Sequence, residues 1–188
     1  MTEQAAWSSG PQTPADGELS RLISSRIRDV PDYPQPGVVF KDITPLLADG
    51  KAFGAVVDAL AGTYGPVDKV VGIEARGFIL AAPVAWRLGA GFVPIRKKGK
   101  LPGATFAQDY QLEYGTATIE VLTDAFDPAD RVLIIDDVLA TGGTARATAD
   151  LVLRAGARVA GIAVLLELSF LHGRAKLAGL PVTALLTV

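Results

Sequence analysis

The segment Val132-Leu133-Ile134-Ile135-Asp136-Asp137-Val138-Leu139-Ala140-Thr141-Gly142-Gly143-Thr144 carries the strongest chemical signal in the chain. Four apolar residues in a row suit a buried parallel strand. Asp136 and Asp137 follow, at the end of that strand, where open α/β sheets bind their ligands. A short loop with Gly142 and Gly143 lets backbone N–H groups approach an anion closely. A helix opening there adds unpaired amides and the positive end of its dipole, and Thr141 and Thr144 add hydroxyl donors. Carboxylates accept from sugar hydroxyls, and the loop suits a phosphate. Thr144 rather than lysine follows the second glycine, so this is not a Walker A loop, nor does it match G-x-G-x-x-G. Taken singly, the acid pair reads as a solvated strand end and the glycines as a turn. The complete strand–acid–loop–helix order argues for a site.

Three further clusters could do chemistry. In Glu74-Ala75-Arg76-Gly77 a buried strand ends in two charged residues and a glycine opens a helix. Arg76 can grip phosphate oxygens bidentately; the bland reading is a surface Glu–Arg pair, worth ~0–1 kcal/mol. Arg96-Lys97-Lys98-Gly99-Lys100 holds four of the 18 cations. Such a run is usually a solvated face. Here it opens a long polar loop, from Lys97 to about Gly115, and long loops are commonly functional. In Gly37-Val38-Val39-Phe40-Lys41 an aromatic flanked by β-branched residues can form a flat apolar slot, or it is ordinary core.

Composition narrows the chemistry. There is no cysteine, which excludes thiol nucleophiles, disulfides and Cys-based metal centres. His172 is the only histidine, so a Ser-His-Asp triad or a polyhistidine metal site has almost nothing to use. His172 reads as a surface or helix-end residue. Trp86 reads as core or as packing between two copies, not as a ligand contact. The formal charge of −2 excludes a global basic field for nucleic acid. No apolar run reaches membrane-spanning length, and the first 18 residues lack the features of a signal or transit peptide. A cytoplasmic protein without nucleic-acid or membrane partners is expected.

The elements that must position these groups follow from periodicity. Residues 1–17 are polar and Pro/Gly-containing and predict a disordered tail; 18–188 predict one domain. Helical spacing marks 19–28, 51–63, 77–88 with Pro83 as a kink, and 143–155, with a short helix near 169–177. Prolines 31, 34 and 36 force an extended stretch. Strands are expected at 68–73, 91–96, 117–122, 131–137, 157–167 and 181–187. Strands apolar on both faces, alternating with helices, imply an α/β fold: a mostly parallel twisted sheet with helices on both faces.

The 132–144 segment resembles the signature of the type I phosphoribosyltransferases. Residues 31–45, 72–78, 94–103 and 112–115 resemble the branch of that family that uses adenine, and the resemblance covers about residues 19–188. It implies a type I phosphoribosyltransferase fold with a flexible lid loop. It implies a reaction in which adenine and 5-phosphoribosyl-1-pyrophosphate give AMP and pyrophosphate, with Mg²⁺ held mainly through the substrate and no dedicated protein ligand. By the same resemblance Asp136 and Asp137 meet the ribose hydroxyls, while Ala140, Thr141, Gly142, Gly143 and Thr144 cradle the 5′-phosphate. Phe40 stacks on the base, with Val39 and Lys41 contacting it or shaping its pocket. Glu74, Ala75 and Arg76 form the pyrophosphate loop, and Lys97 or Lys100 joins Arg76 on the leaving group. Glu113 is the candidate acid/base, Tyr114 a lid residue, and a homodimer the expected assembly. Two alternatives stay open: a phosphoribosyltransferase for hypoxanthine, guanine or xanthine, which the phosphate loop does not distinguish, and a non-enzymatic regulator that senses the same sugar. The short acidic tail and a pI of about 5.4 argue against the regulator.

Overall fold

The computed structural model describes residues 16–111 and 115–188. The chain forms two compact units, with the division between Ala55 and Val56.

In the first unit, α1 (Asp16–Ser24) precedes a ribbon of β1 (Arg28–Pro31) and β2 (Val39–Asp42), and then α2 (Thr44–Ala48). Helix α3 (Gly50–Ala61) runs across the division. Leu19 and Ile23 of α1 are buried, as the helical spacing predicts. The helix opens two residues before Glu18 and stops short of Arg28. Asp49 caps α3, accepting from the Lys51 and Ala52 amides at 3.1 Å each. The β1–β2 pairing was not legible: three prolines predict an extended chain, but not that Val30 pairs with Phe40 and Pro31 with Val39.

The second unit is a seven-stranded sheet. Its elements are β3 (Lys69–Ile73), α4 (Arg76–Leu88), β4 (Gly91–Lys97), β5 (Thr105–Gln111), β6 (Thr116–Leu122), β7 (Arg131–Leu139), α5 (Gly143–Arg154), β8 (Arg158–Glu167), two short 3₁₀ turns (Ser169–Leu171, Gly173–Leu177) and β9 (Val182–Thr187). The strand order is β5-β6-β4-β3-β7-β8-β9. Strands β4, β3, β7, β8 and β9 are parallel, and the β5–β6 hairpin joins β4 antiparallel. The expected α/β fold is therefore present.

Both sheet faces are covered because successive strand residues point to opposite sides. Val71, Ile73, Val132 and Ile134 pack in one cluster with Ala145, Ala149 and Val152 of α5. Gly72, between Val71 and Ile73, faces the other way, where an added Cβ would lie 2.9 Å from the Ala81 Cβ of α4. Burying each Val or Ile side chain contributes ~1.5–3 kcal/mol. Helix α4 stops at Gly89, whose φ of 66° is the left-handed conformation that glycine tolerates best.

The loop expected from Lys97 to Gly115 is largely a hairpin instead. Residues 105–111 pair with 116–122. Phe106 and Tyr110 turn toward the core while Ala107, Asp109 and Gln111 stay exposed. Gln108 between the two aromatics masks the alternation that would have marked an edge strand.

Candidate active site

Counted along the chain, the five parallel strands stand in the order 2-1-3-4-5. The order reverses between β3 and β7, and ligands of doubly wound sheets bind outside the strand ends at that point. The two strongest sequence segments converge there. Strand β7 outruns β3, since the last paired residues are Gly72 and Ile135. Asp136 therefore lies level with Ile73, the last residue of β3, and Asp137 just past it, with Asp136 against the start of α4.

Arg76 Nη2 of α4 stands 2.8 Å from Asp137 Oδ2. That buried oxygen has no aligned hydrogen-bond partner among the described residues, so the contact is charge on charge. Gly77 sits against Asp136; an added Cβ would lie 2.9 Å from Asp136 Oδ1 and 3.0 Å from the Ile135 carbonyl. Asp136 Oδ1 accepts from the Asp137 amide at 2.9 Å. Burial, and then the Asp137 charge beside it, push the Asp136 carboxyl well above its ordinary value. Burial also raises Asp137, against the attraction of Arg76. Two crowded carboxyls that resist ionisation await cationic or hydroxyl-bearing company.

Strand β7 continues to Leu139, two residues past the expected end. The loop after it is pinned from an unexpected quarter. Gly142, the residue before α5, has φ of 78°. A Cβ there would collide with the Gly173 carbonyl, and one on Gly173 with the Ala140 carbonyl. Glycines from distant segments thus interlock, and the only sequence signal at Gly173 was a glycine after His172. Helix α5 makes its first intrahelical bond from Arg146 N to Gly142 O at 3.0 Å. The amides of Gly143, Thr144 and Ala145 precede that bond and have no intrahelical acceptor. Ala140, Thr141 and Thr144 keep partial exposure at this end.

Glu74 does not pair with Arg76. Its carboxylate binds Lys100 Nζ at 2.6 Å through Oε1, and Arg96 Nε at 3.0 Å and the Lys97 amide at 2.9 Å through Oε2. Burial raises its pKa, but these donors and the Lys100 charge outweigh that and hold it at about 2. The pairings formed are thus Glu74 with Arg96 and Lys100, and Arg76 with Asp137. The Glu74–Ala75 peptide bond is cis, and exposed Ala75 precedes α4.

Val39, Phe40 and Lys41 belong to the first unit, on β2. Phe40 meets Tyr33 edge to face at 5.2 Å, and Lys41 Nζ binds Asp29 at 2.7 Å. Glu113 and Tyr114 lie outside the described residues. Trp86 is not core: it is 80% exposed. Among the described residues no cluster of three or more metal-ligating side chains could hold an ion, and no helix is long and apolar enough to cross a membrane.

The acid pair, the arginine and the helix-opening loop meet at the switch point of a doubly wound sheet, an arrangement suited to a phosphorylated sugar. In agreement, the profile of the phosphoribosyl transferase domain matches residues 47–177. The adenine phosphoribosyltransferase of Acidothermus cellulolyticus is 63% identical over 177 residues, covering 93% of this chain and 99% of that protein. The crystal structure of the adenine phosphoribosyltransferase from Rhodothermus marinus superposes with a TM-score of 0.87 at 52% identity, covering 92% of this chain and 99% of that one. The Saccharomyces cerevisiae adenine phosphoribosyltransferase, complexed with an imino-altritol bisphosphate and adenine, gives 0.85 at 35% identity, covering 90% and 99%. The chain belongs to the adenine phosphoribosyltransferase family.

Proposed function

We propose that this protein makes AMP and pyrophosphate from adenine and 5-phosphoribosyl-1-pyrophosphate, a purine-salvage transfer. The observation that carries the reading is the convergence of Arg76 and the start of α4 with Asp136, Asp137 and the α5 loop at the sheet's switch point. The order of these parts, a cation, an acid pair and a helix-opening loop, suits one ligand with an anion at each end and hydroxyls between.

In the reaction, adenine N9 attacks C1 of the ribose from the face opposite pyrophosphate. The C1–O bond to pyrophosphate breaks, and the N9 proton leaves to a base, for which Glu113 is our candidate. The transition state carries cationic character on the sugar, as in glycosyl transfer generally. Asp136 and Asp137 accept from the ribose hydroxyls, and their field favours that cation. Arg76 and Lys100, or Lys97, draw charge onto the leaving oxygens. Ala140 to Thr144 hold the 5′-phosphate with amides and hydroxyls. On β2 alternation sends Phe40 to one face and Val39 and Lys41 to the other. Phe40 supplies the stacking ring, and Val39 and Lys41 act from their backbone or the pocket wall.

The donor set fits Mg²⁺ carried in by the substrate. Asp136 and Asp137 offer their oxygens to the ribose hydroxyls, and no side-chain cage stands among the described residues, which suits an ion that keeps its waters and is held mainly through substrate phosphates. When bound, the ion neutralises pyrophosphate charge.

We place the working enzyme in the cytoplasm, as a homodimer. Ile79 (44% exposed) and Trp86 (80% exposed) lie seven residues apart on α4 and form an apolar stripe suited to a second copy. The deciding assay is AMP formation from a nucleobase panel with phosphoribosyl pyrophosphate, with and without Mg²⁺. Adenine should turn over far better than guanine or hypoxanthine, and only with the metal. Preference for guanine would overturn the choice of base.

A further inference from the structure

Glu74 is an odd residue to find beside a pyrophosphate site. A carboxylate held ionised repels phosphate oxygens, so it does not bind the leaving group itself. Its contacts show what it does instead. The Glu74 amide donates to the Ile95 carbonyl at 3.0 Å, which fixes its backbone at the end of β3. Its side chain is 10% exposed. Among the described residues the carboxylate's contacts all run to the 96–100 segment: Arg96 Nε, the Lys97 amide and Lys100 Nζ. The same segment is tied elsewhere through its backbone, with the Lys98 amide on the Thr118 carbonyl at 3.1 Å and the Gly99 amide on buried Glu120 Oε2 at 2.9 Å.

These ties differ in kind. The Lys97, Lys98 and Gly99 bonds are donated by main-chain amides at and just past the end of β4. The Lys100 bond is made by a half-exposed ammonium on a four-carbon stem, which can swing without moving the backbone. Glu74 stands two residues before Arg76. If Lys100 moved to a ligand held by Arg76, Glu74 would keep Arg96 and the Lys97 amide, so its charge would not be left unpaired. A polyanion carrying several charges also outcompetes one carboxylate for a single ammonium.

We propose that Glu74 is a positioning residue, the resting partner of Lys100, and that arrival of the pyrophosphate group draws the Lys100 ammonium from Glu74 onto the ligand. This rests on the reading that pyrophosphate binds at Arg76 and the start of α4. Glu74 then keeps Lys100 pre-placed while the site is empty and limits its cost of ordering when substrate binds. It also competes with the ligand, so it moderates affinity for pyrophosphate.

The test is acylation of lysines by a water-soluble N-hydroxysuccinimide ester, read by peptide mass spectrometry on the full chain. Inorganic pyrophosphate with Mg²⁺ is the probe, and exposed Lys98 is the internal reference. In the free wild-type protein Lys100 should label several-fold more slowly than Lys98. Glu74→Gln should raise the Lys100 rate several-fold without ligand, and pyrophosphate should restore protection in wild type and variant alike. Arg96→Gln, which leaves the Glu74–Lys100 contact in place, should not accelerate Lys100. Equal Lys100 rates in free wild type and Glu74→Gln would overturn the proposal, and protection by pyrophosphate in both would show that the ligand assignment survives. Lack of protection by pyrophosphate in both proteins would remove the ligand assignment itself. Glu74→Asp, which keeps the charge but withdraws it by one methylene, should give the same acceleration and serves where Glu74→Gln does not fold.

Discussion

Arg76 and Asp137 neutralise each other across the switch point, with Arg76 Nη2 2.8 Å from Asp137 Oδ2. One is the group proposed to hold pyrophosphate and the other a group proposed to hold ribose. Before substrate arrives each is the other's counter-ion, which lets a buried carboxylate persist where its own burial opposes ionisation. Substrate binding exchanges one internal ion pair for contacts to both ends of the ligand.

Asp137→Asn should therefore weaken use of phosphoribosyl pyrophosphate. Loss of a charged hydrogen-bond acceptor costs ~1.5–3 kcal/mol, or about 10- to 150-fold in kcat/KM. Steady-state kinetics with varied phosphoribosyl pyrophosphate measure this, and an unchanged kcat/KM would refute the role.

Two glycine substitutions should damage the site without removing a charged group. In Gly77→Ala the new methyl meets Asp136 Oδ1 and the Ile135 carbonyl; in Gly173→Ala it meets the Ala140 carbonyl. Backbone oxygens cannot swing aside as a side chain can, so each should cost ~1–3 kcal/mol of stability. Gly173→Ala should also raise KM for phosphoribosyl pyrophosphate, because Ala140 begins the phosphate loop. Urea denaturation and kinetics read the two effects separately.

The acids give opposite pH dependences. Asp136 titrates above its ordinary value of 3.8 in the folded protein, so between that value and the raised one the folded state binds more protons than the unfolded state. Its contribution to stability is present below pH 3.8 and is lost as pH rises through the raised value. Glu74 is depressed from 4.5 to about 2, so its contribution is present above pH 4.5 and is lost as pH falls toward 2. Asp136→Asn keeps an oxygen for the Asp137 amide and removes one of two crowded charges. It should stabilise the unliganded protein near neutral pH by ~0.5–2 kcal/mol while lowering activity. Glu74→Gln should flatten the acid side. Denaturation midpoints from pH 3 to 8 check both signs.

Glu113→Gln should lower kcat more than it changes KM, since a proton-accepting group acts in the transition state. Equal loss in both, or none in either, would reassign the base. Rate measurements across pH in wild type and variant decide it.

The sequence by itself determined the parts list. Apolar runs alternating with helical periods define a doubly wound sheet, because only strands covered on both faces can be apolar on both. The order Asp136-Asp137-loop-helix is local in the chain, and local chemistry is legible without a fold. Tertiary structure decided who meets whom. Glu74 and Arg76 sit two residues apart and look like a pair, yet one holds Arg96 and Lys100 and the other Asp137. Gly173 locks the distant loop at Ala140 and Gly142 by close backbone approach, which leaves no trace in periodicity. Residues 105–111 became an edge strand because β6 offered hydrogen bonds that their own alternation did not announce. Spacing along a chain fixes elements through local sterics and burial, whereas ion-pair partners and backbone contacts depend on strand order, which no short stretch of sequence encodes.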